Sequence, residues 1–168
     1  SITVDPPAPE LSPVDISSAA NMGLSDDIEG DGRGGWTDQG DNDLRSLSTG
    51  VQYLCGIPFN VLASPDRAAI MLRGTERSYF LDQATLPVGR KATDLFLLHG
   101  CAWGGSGKTA FTATVGYDDG SSAEIPVRIG EEALDWWGVR DLGPDSRVAW
   151  RGANARAPIG LMALRWPN

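Results

Sequence analysis

Basic residues are scarce and scattered in this sequence. Only three lysines or arginines, Arg33, Arg45 and Arg67, occur among the first 70 residues, and the formal net charge of the chain is −8. Nucleic-acid binding needs basic patches that neutralise phosphates, so we expect no nucleic-acid partner. No apolar run approaches the roughly 18 residues that a membrane-spanning helix requires, so we expect no membrane partner either.

Histidine and cysteine are nearly absent. The one histidine, His99, falls in an apolar run (96–103) without a recognisable serine elbow, which favours a structural role over a catalytic one. Cys55 and Cys101 lie in apolar, strand-like runs and are interpreted either as buried free thiols or as one disulfide. A cysteine pair without a nearby histidine does not indicate a metal site.

Long helical patterns are missing as well, and only 131–137 has the residues for a turn or two of helix. Glycine (21 residues) and proline (11 residues) are instead spread along the chain, which is typical of an all-β domain with many turns. The candidate strands are 51–54, 57–63, 68–73, 93–101, 109–117, 122–129, 146–151 and 159–166. We predict a two-sheet antiparallel β-sandwich (jelly roll) with about eight to ten strands and little helix.

The clearest local signal is a hairpin. In 109–117, apolar residues at odd positions from Phe111 onward alternate with Thr112 and Thr114, which is the period of a half-buried antiparallel strand. Asp119-Gly120 then supplies a turn with positive φ before the candidate strand 122–129.

The domain organisation follows from composition. Residues 1–13 carry four prolines and almost no periodicity, which predicts an extended linker or terminal extension. Residues 14–168 are then one β-sandwich domain, long enough to bury a core without disulfides. Both ends suggest a module of a longer protein.

One stretch imitates a phosphate-binding loop. Residues 102–109, AWGGSGKT, fit the pattern if its first glycine is relaxed to alanine. A phosphate loop opens a helix whose N-terminus holds the phosphates, but the residues from Thr109 onward are β-branched and alternating. The context therefore disfavours nucleotide binding and indicates a glycine-rich loop between two strands.

The most unusual segment is the acidic loop, which we define as residues 25–45. Asp27, Glu29, Asp31 and Asp38 occupy positions 1, 3, 5 and 12 of a calcium-loop pattern, with Gly32 at the sixth position. The last position is Asp rather than the longer Glu, and no helices flank the loop. Further carboxylates that could serve as ligands are Asp26, Asp41 and Asp43. The alternative is a turn-rich loop whose Asp side chains bond to nearby amides.

Several segments together carry a family likeness. In chain order they are GLSDDIEGDGRGGWTDQGDNDLRSLSTG, CGIPFNVL, LFLLHGCAWG, VGYDDGSSAEIPV, DWWG and IGLMALRWPN. The chain resembles the non-catalytic, galactose-binding-like β-sandwich modules attached to bacterial polysaccharide-degrading enzymes. The resemblance covers nearly all of 14–168, and its GDGxGGWTDQG segment is specific. It implies a jelly roll, often with a structural Ca²⁺, that is secreted or held at the bacterial cell surface. The module keeps a neighbouring catalytic domain of the same chain near a polysaccharide.

Tryptophan supplies the chemistry for sugar binding, because its flat apolar face suits a pyranose ring and its N–H can meet a hydroxyl. Trp150 and Trp166 lie within alternating strands and are interpreted as core. We predict that Trp36 and one of the other loop tryptophans stack on the sugar. The full set of predicted carbohydrate-binding residues is Trp36, Asp38, Gln39, Asn42, Arg45, Trp103, Trp136 and Trp137.

Two other functions stay open from the sequence. A small glycosidase or lyase would use two carboxylates, such as Asp38 and Asp43, at defined positions across a cleft. A structural accessory domain would pack on a neighbouring catalytic domain and would expose an apolar patch when isolated.

Overall fold

Seven strands form the regular structure of residues 10–168, the part of the chain that the computed structural model describes. They are β1 (Gly50–Leu54), β2 (Ile57–Val61), β3 (Asp94–His99), β4 (Thr109–Gly116), β5 (Ser122–Arg128), β6 (Ser146–Ala153) and β7 (Pro158–Pro167). The described residues contain no helix, so the prediction of an all-β chain is confirmed. The strand count is lower than the eight to ten predicted.

One predicted strand does not form. The apolar run 68–73 contributes only isolated bridges, from Ala69 to Met22 and from Leu72 to Leu81. An apolar run needs a continuous partner to become a strand, and here the neighbouring segments offer single pairing positions. The helical turn considered for 131–137 is also absent, and that segment forms turns and bridges.

The strands pair into three antiparallel sheets. Their orders are β1–β2, β3–β7–β6 and β4–β5, and β7 lies at the centre of the three-stranded sheet. Alternate β7 side chains enter different cores, so that Leu161 packs on one face of this sheet and Leu164 on the other. The three-stranded sheet is therefore covered on both faces.

The first core lies between the three-stranded sheet and the acidic loop. Its buried residues are Trp36, Leu44, Leu47, Val61, Trp136, Ile159 and Leu161. Three of these belong to the loop segment 36–47, so much of this segment is part of the interior. Trp150 packs against the same cluster but is half-buried, so it belongs to the core only in part.

The second core lies between the three-stranded sheet and the β4–β5 hairpin. It is formed by Ile125 and Val127 of β5, Ala133 and Leu164, with Trp166 packed against it. The interpretation of Trp166 as a core residue is therefore confirmed.

The hairpin itself follows the sequence prediction. Phe111, Ala113 and Val115 are half-buried, whereas Thr112 and Thr114 are exposed. The turn closes through hydrogen bonds from Tyr117 N to Ser121 O (3.0 Å) and from Gly120 N to Tyr117 O (3.0 Å), with Gly120 at φ 86°. This is a three-residue loop with glycine in the left-handed position.

The remaining sequence features are placed as follows. Both cysteines are free, and Cys55 is exposed on the β1–β2 turn, so its interpretation as buried is wrong. The stretch 102–109 leads directly into β4, and no helix follows it. Residues 1–9 of the predicted linker lie outside the described range. At the end of the linker, Arg90 contacts the Ser12 hydroxyl and the carbonyl of Pro13.

Candidate functional site

The acidic loop is organised by three buried carboxylates, those of Asp26, Asp38 and Asp43. Buried charges are tolerated only where hydrogen bonds replace water, and here the donors are mostly backbone amides of the loop itself. Asp26 accepts from Ile28 N (2.9 Å) and Gly40 N (2.8 Å). The loop is thus held by its own aspartates. This agrees with the alternative to a calcium site, in which Asp side chains accept hydrogen bonds from nearby amides. The carboxylates of Asp26, Asp38 and Asp43 are, however, buried.

Asp38 connects the loop to a second segment. Its Oδ1 accepts from Gly30 N and its Oδ2 from Gly32 N, both at 3.0 Å. The Tyr79 hydroxyl also donates to Oδ2. The residue adopts φ 56°, a left-handed conformation that Asp tolerates better than most residues. Asp38 therefore fixes both the tip of the acidic loop and the ring of Tyr79.

The Asp43 carboxylate likewise accepts hydrogen bonds and holds the end of the acidic loop. It accepts from Asp26 N (2.8 Å), Arg45 N (3.0 Å) and Arg45 Nε (2.8 Å). The hydrogen bond and the charge of Asp43 raise the pKa of Arg45. Asp38 and Asp43, the carboxylates on which the enzyme alternative rested, are both engaged in holding the loop together.

The structure does not bring the four predicted calcium ligands together. Asp27 is exposed and pairs with Arg45, Glu29 pairs with Arg156 (3.3 Å), and Asp38 is buried among amides. The fourth, Asp31, accepts from the backbone N of Arg33. Within residues 10–168 no group of three or more His, Cys, Asp or Glu is arranged to hold a metal ion. In this conformation the four side chains do not fit a shared ion, and calcium binding stays a prediction.

Arginines supply positive charge to the acidic loop. Arg156, in the β6–β7 connection, pairs with Asp41 (3.0 Å) as well as Glu29. The pKa of Arg156 is raised, first by its hydrogen bond to Asp41 and then by that to Glu29. Arg45 likewise forms ion pairs with Asp27 and Asp43.

The four candidate tryptophans divide into two pairs. Trp36 and Trp136 are 8% and 2% exposed and pack edge to face, with ring centroids 5.7 Å apart. Trp103 and Trp137 are 40% and 51% exposed. A sugar ring needs an accessible ring face, so Trp103 and Trp137 remain candidates for stacking on sugar, whereas Trp36 and Trp136 do not. An isolated β-bridge joins Cys101 to Asp135, and Trp103 and Trp137 each lie two residues after one end of this bridge.

The predicted polar residues also differ in exposure. Asn42 is buried, donates to Gln39 Oε1 (2.9 Å) and accepts from Asn154 Nδ2 (2.7 Å). Gln39 is half-buried, whereas Arg45 is exposed. These amides link the acidic loop to the end of β6, and among the predicted polar residues Arg45 presents the most accessible side chain.

Two residues of the surface were missed by the sequence interpretation. The Arg77 guanidinium lies 4.7 Å from the centre of the Trp103 ring and donates to the carbonyls of Thr37 (3.0 Å) and Asp38 (3.2 Å). Tyr79 is 57% exposed, with its hydroxyl turned inward to Asp38. Burial of this hydroxyl and then its hydrogen bond to Asp38 raise the pKa of Tyr79 to about 12.

Trp103, Arg77 and Tyr79 together form what we call the aromatic strip. Trp103 adopts φ 55°, a left-handed conformation that is strained for a bulky residue and that the buried Trp36 shares. The only sequence signal for the other two residues was an arginine and a tyrosine in the aperiodic segment 73–80. Their importance depends on long-range contacts that no local pattern encodes.

An open cleft of about 880 Å³ lies beside the strip. The acidic loop lines it with Gly32 and Arg33, and Asp66 and Arg67 line it from a second segment. Gly32 connects the cleft to the strip, since a Cβ at this position would lie 3.7 Å from the Tyr79 ring. The Tyr79 end of the strip therefore borders a cleft whose walls are partly polar and partly apolar.

His99 is buried between the three-stranded sheet and the hairpin. Its ring meets that of Phe111 edge to face at 5.8 Å, and neither ring nitrogen has a hydrogen-bond partner among the described residues. Burial lowers its pKa to about 4. This position in the core agrees with a structural role.

Comparisons with known proteins found no matching family model, no matching curated protein and no matching solved structure. The likeness to carbohydrate-binding modules therefore stays a prediction that rests on the sequence segments quoted above. Within the described residues, no helix has the length and apolarity that crossing a membrane requires.

Proposed function

We propose that this chain is a non-catalytic carbohydrate-binding module. The observation that carries the proposal is the aromatic strip, in which Trp103 is 40% exposed and Arg77 lies over one face of its indole. Apolar ring faces beside fixed hydrogen-bond donors are what a pyranose requires, since it has C–H faces and hydroxyl edges.

The strip is supported for this task by the loop beneath it. Arg77 is held by two loop carbonyls and Tyr79 by the Asp38 carboxylate, so both side chains are ordered before a ligand arrives. Such preorganisation reduces the entropy lost on binding. A saccharide would stack on the exposed part of Trp103, receive hydrogen bonds from Arg77, and extend toward the cleft beside Tyr79.

The proposal includes the setting that the sequence resemblance implies. The ligand is a polysaccharide or oligosaccharide, the neighbour is the catalytic domain of a polysaccharide-degrading enzyme, and the location is secreted or on the cell surface. The three-stranded sheet and the β4–β5 hairpin, which share a core, would be the central parts of the two-sheet jelly roll. A calcium ion in the acidic loop is a separate proposal, because the strip is held without one.

Affinity electrophoresis in gels containing galactan, xylan, arabinan or mixed-linkage glucan tests the proposal. We expect retardation by at least one polymer, and Trp103→Ala should weaken the affinity about tenfold through loss of the stacking surface. Tyr53→Ala, which removes an exposed aromatic ring on β1, is the matched control and should leave retardation unchanged. Migration unaffected by every polymer would refute the function, and retardation that survives Trp103→Ala would refute the site.

A second candidate is favoured by one observation. Val51 and Tyr53, two apart on β1, are both exposed, as an accessory domain that packs on a catalytic neighbour would require. This function predicts no retardation by the polysaccharides. The same gels therefore separate the two candidates.

A further inference from the structure

A groove of about 380 Å³ runs along β6, at an edge of the three-stranded sheet. Arg147, Trp150 and Arg151 of this strand line it, and Asp141 lines it from the preceding loop. None of these residues belongs to the aromatic strip or to the cleft beside it. The groove is therefore a second concave surface with its own chemistry.

The two arginines of the groove are available for a ligand. Among residues 10–168, neither Arg147 nor Arg151 forms an ion pair or a side-chain hydrogen bond. Five other arginines each pair with at least one carboxylate; they are Arg45, Arg73, Arg128, Arg156 and Arg165. Arg33 and Arg140 likewise show neither kind of contact among these residues, so what distinguishes Arg147 and Arg151 is that both line one groove.

A β-bulge in β6 places the two arginines on opposite faces of the sheet. Arg147 lies opposite Ala163 and Arg151 opposite Gly160, because the register shifts between Val148 and Trp150. Ala163 and Gly160 are three positions apart on β7 and so belong to opposite faces of the sheet. Bulges often redirect side chains at binding sites, and here both arginines line the groove although they leave the strand toward opposite faces of the sheet.

The backbone of the groove is already engaged. Val148 N donates to Asp141 Oδ1 (2.8 Å), and the Cys55 thiol donates to Val148 O (2.9 Å). An extended peptide therefore cannot add to β6 at this position through the usual ladder of hydrogen bonds. Recognition must come from side chains, which here are two guanidinium groups, one carboxylate and a half-buried indole.

Trp150 gives the groove an apolar wall. Its ring lies over Gly152, where a Cβ would overlap the ring carbons, so glycine is required for this ring position. Guanidinium groups bind carboxylates with paired, charge-assisted hydrogen bonds, and an indole face suits a sugar ring. The combination matches a sugar that carries a carboxylate.

We propose that the β6 groove binds the carboxylates of an acidic polysaccharide, with Arg147 and Arg151 as the recognising groups. This inference rests on the proposed carbohydrate-binding function for the nature of the ligand. The aromatic strip then contacts sugar rings irrespective of charge, whereas the groove selects polymers that contain uronic acids.

Calorimetric titration with an oligogalacturonate and with its fully methyl-esterified form tests the inference, since the two probes share a backbone and differ in charge. We expect the acidic form to bind at least about tenfold more tightly to the full chain. The double variant Arg147→Gln/Arg151→Gln should lose this preference. Lys91→Gln/Lys108→Gln makes the same change in net charge at two exposed positions and should retain the preference at about 0.15 M salt.

Equal affinity for both probes would overturn the inference, as would an equal loss of preference in the lysine control, which would indicate general electrostatics only. If a neutral polymer is retarded through Trp103 while the acidic form gains nothing, the groove inference fails and the proposed function stands. If no polysaccharide and neither probe binds, both fail. Loss of preference in the arginine variant alone, with unchanged thermal unfolding, supports the groove.

Discussion

At the scale of single residues, the buried carboxylate of Asp38 decides how the acidic loop is built. It accepts two backbone amides and the Tyr79 hydroxyl, and so couples the loop interior to the surface strip. The sequence pattern identified Asp38 as a functional candidate, but local spacing cannot distinguish a carboxylate aimed at an ion from one aimed at amides. That distinction depends on where Gly30, Gly32 and Tyr79 lie in space.

Asp38→Asn should therefore be destabilising although it is nearly isosteric. Asparagine tolerates the left-handed backbone at this position but offers one acceptor oxygen, so one of the part-buried hydrogen bonds from Gly30 N and Gly32 N is lost. We expect the free energy of unfolding to fall by about 2 kcal/mol in urea titrations. Asp31→Asn, at an exposed carboxylate that also accepts a loop amide, is the control and should change stability by about 0.5 kcal/mol at most. Similar losses in the two variants would contradict this role of Asp38.

At the scale of elements, strand prediction succeeded where local periodicity was enough. The bounds of β4 and β5 and their turn follow from alternation and from Asp119-Gly120. The run 68–73 had comparable apolar character and still formed no strand, since pairing depends on a partner distant in sequence. Arg77 and Tyr79 were missed for the same reason, because their contacts are made with residues about 40 positions away.

The hairpin turn provides a test at this scale. Gly120 and Gly116 both have open space where a Cβ would be added, but only Gly120 has positive φ, at 86°. Gly120→Ala should lower the free energy of unfolding by about 1 kcal/mol, because an alanine is strained in the left-handed region. Gly116→Ala, in a strand conformation, should be neutral or slightly stabilising. Thermal and urea unfolding of the two variants checks the difference, and equal effects would show that the turn geometry is wrong.

At the scale of the whole molecule, one sheet is covered by a hairpin on one face and largely by a loop on the other. Composition and alternation predicted an all-β chain, and the hairpin as one covering layer is compatible with that expectation. The loop that covers the other face of the sheet was not predictable, since a segment rich in Asp and Gly is normally expected to be exposed to solvent. Its burial depends on Trp36, Leu44 and Leu47, which are spaced along residues 36–47 without strand or helix periodicity.

The layer between sheet and hairpin also determines how the stability of the molecule depends on pH. His99 is buried there, its ring nitrogens have no hydrogen-bond partner within residues 10–168, and burial lowers its pKa from the ordinary 6.5 to about 4. In the unfolded chain the imidazole takes up a proton as the pH falls through 6.5, whereas the folded protein does so only near pH 4. The unfolded state thus binds more protons between these values, and stability falls as the pH falls through this window.

We expect this single group to remove about 3 kcal/mol of stability between pH 7 and pH 4. His99→Leu removes the titrating imidazole and replaces it with an apolar side chain of similar size. The difference in free energy of unfolding between variant and wild type should therefore grow as the pH is lowered from 7 to 4.5. Urea titrations at several pH values measure it, and comparison with the variant removes the contribution of the carboxylates, which titrate in both proteins. A difference independent of pH would mean that His99 is accessible to protons in the folded state and that the hairpin does not seal this face of the sheet.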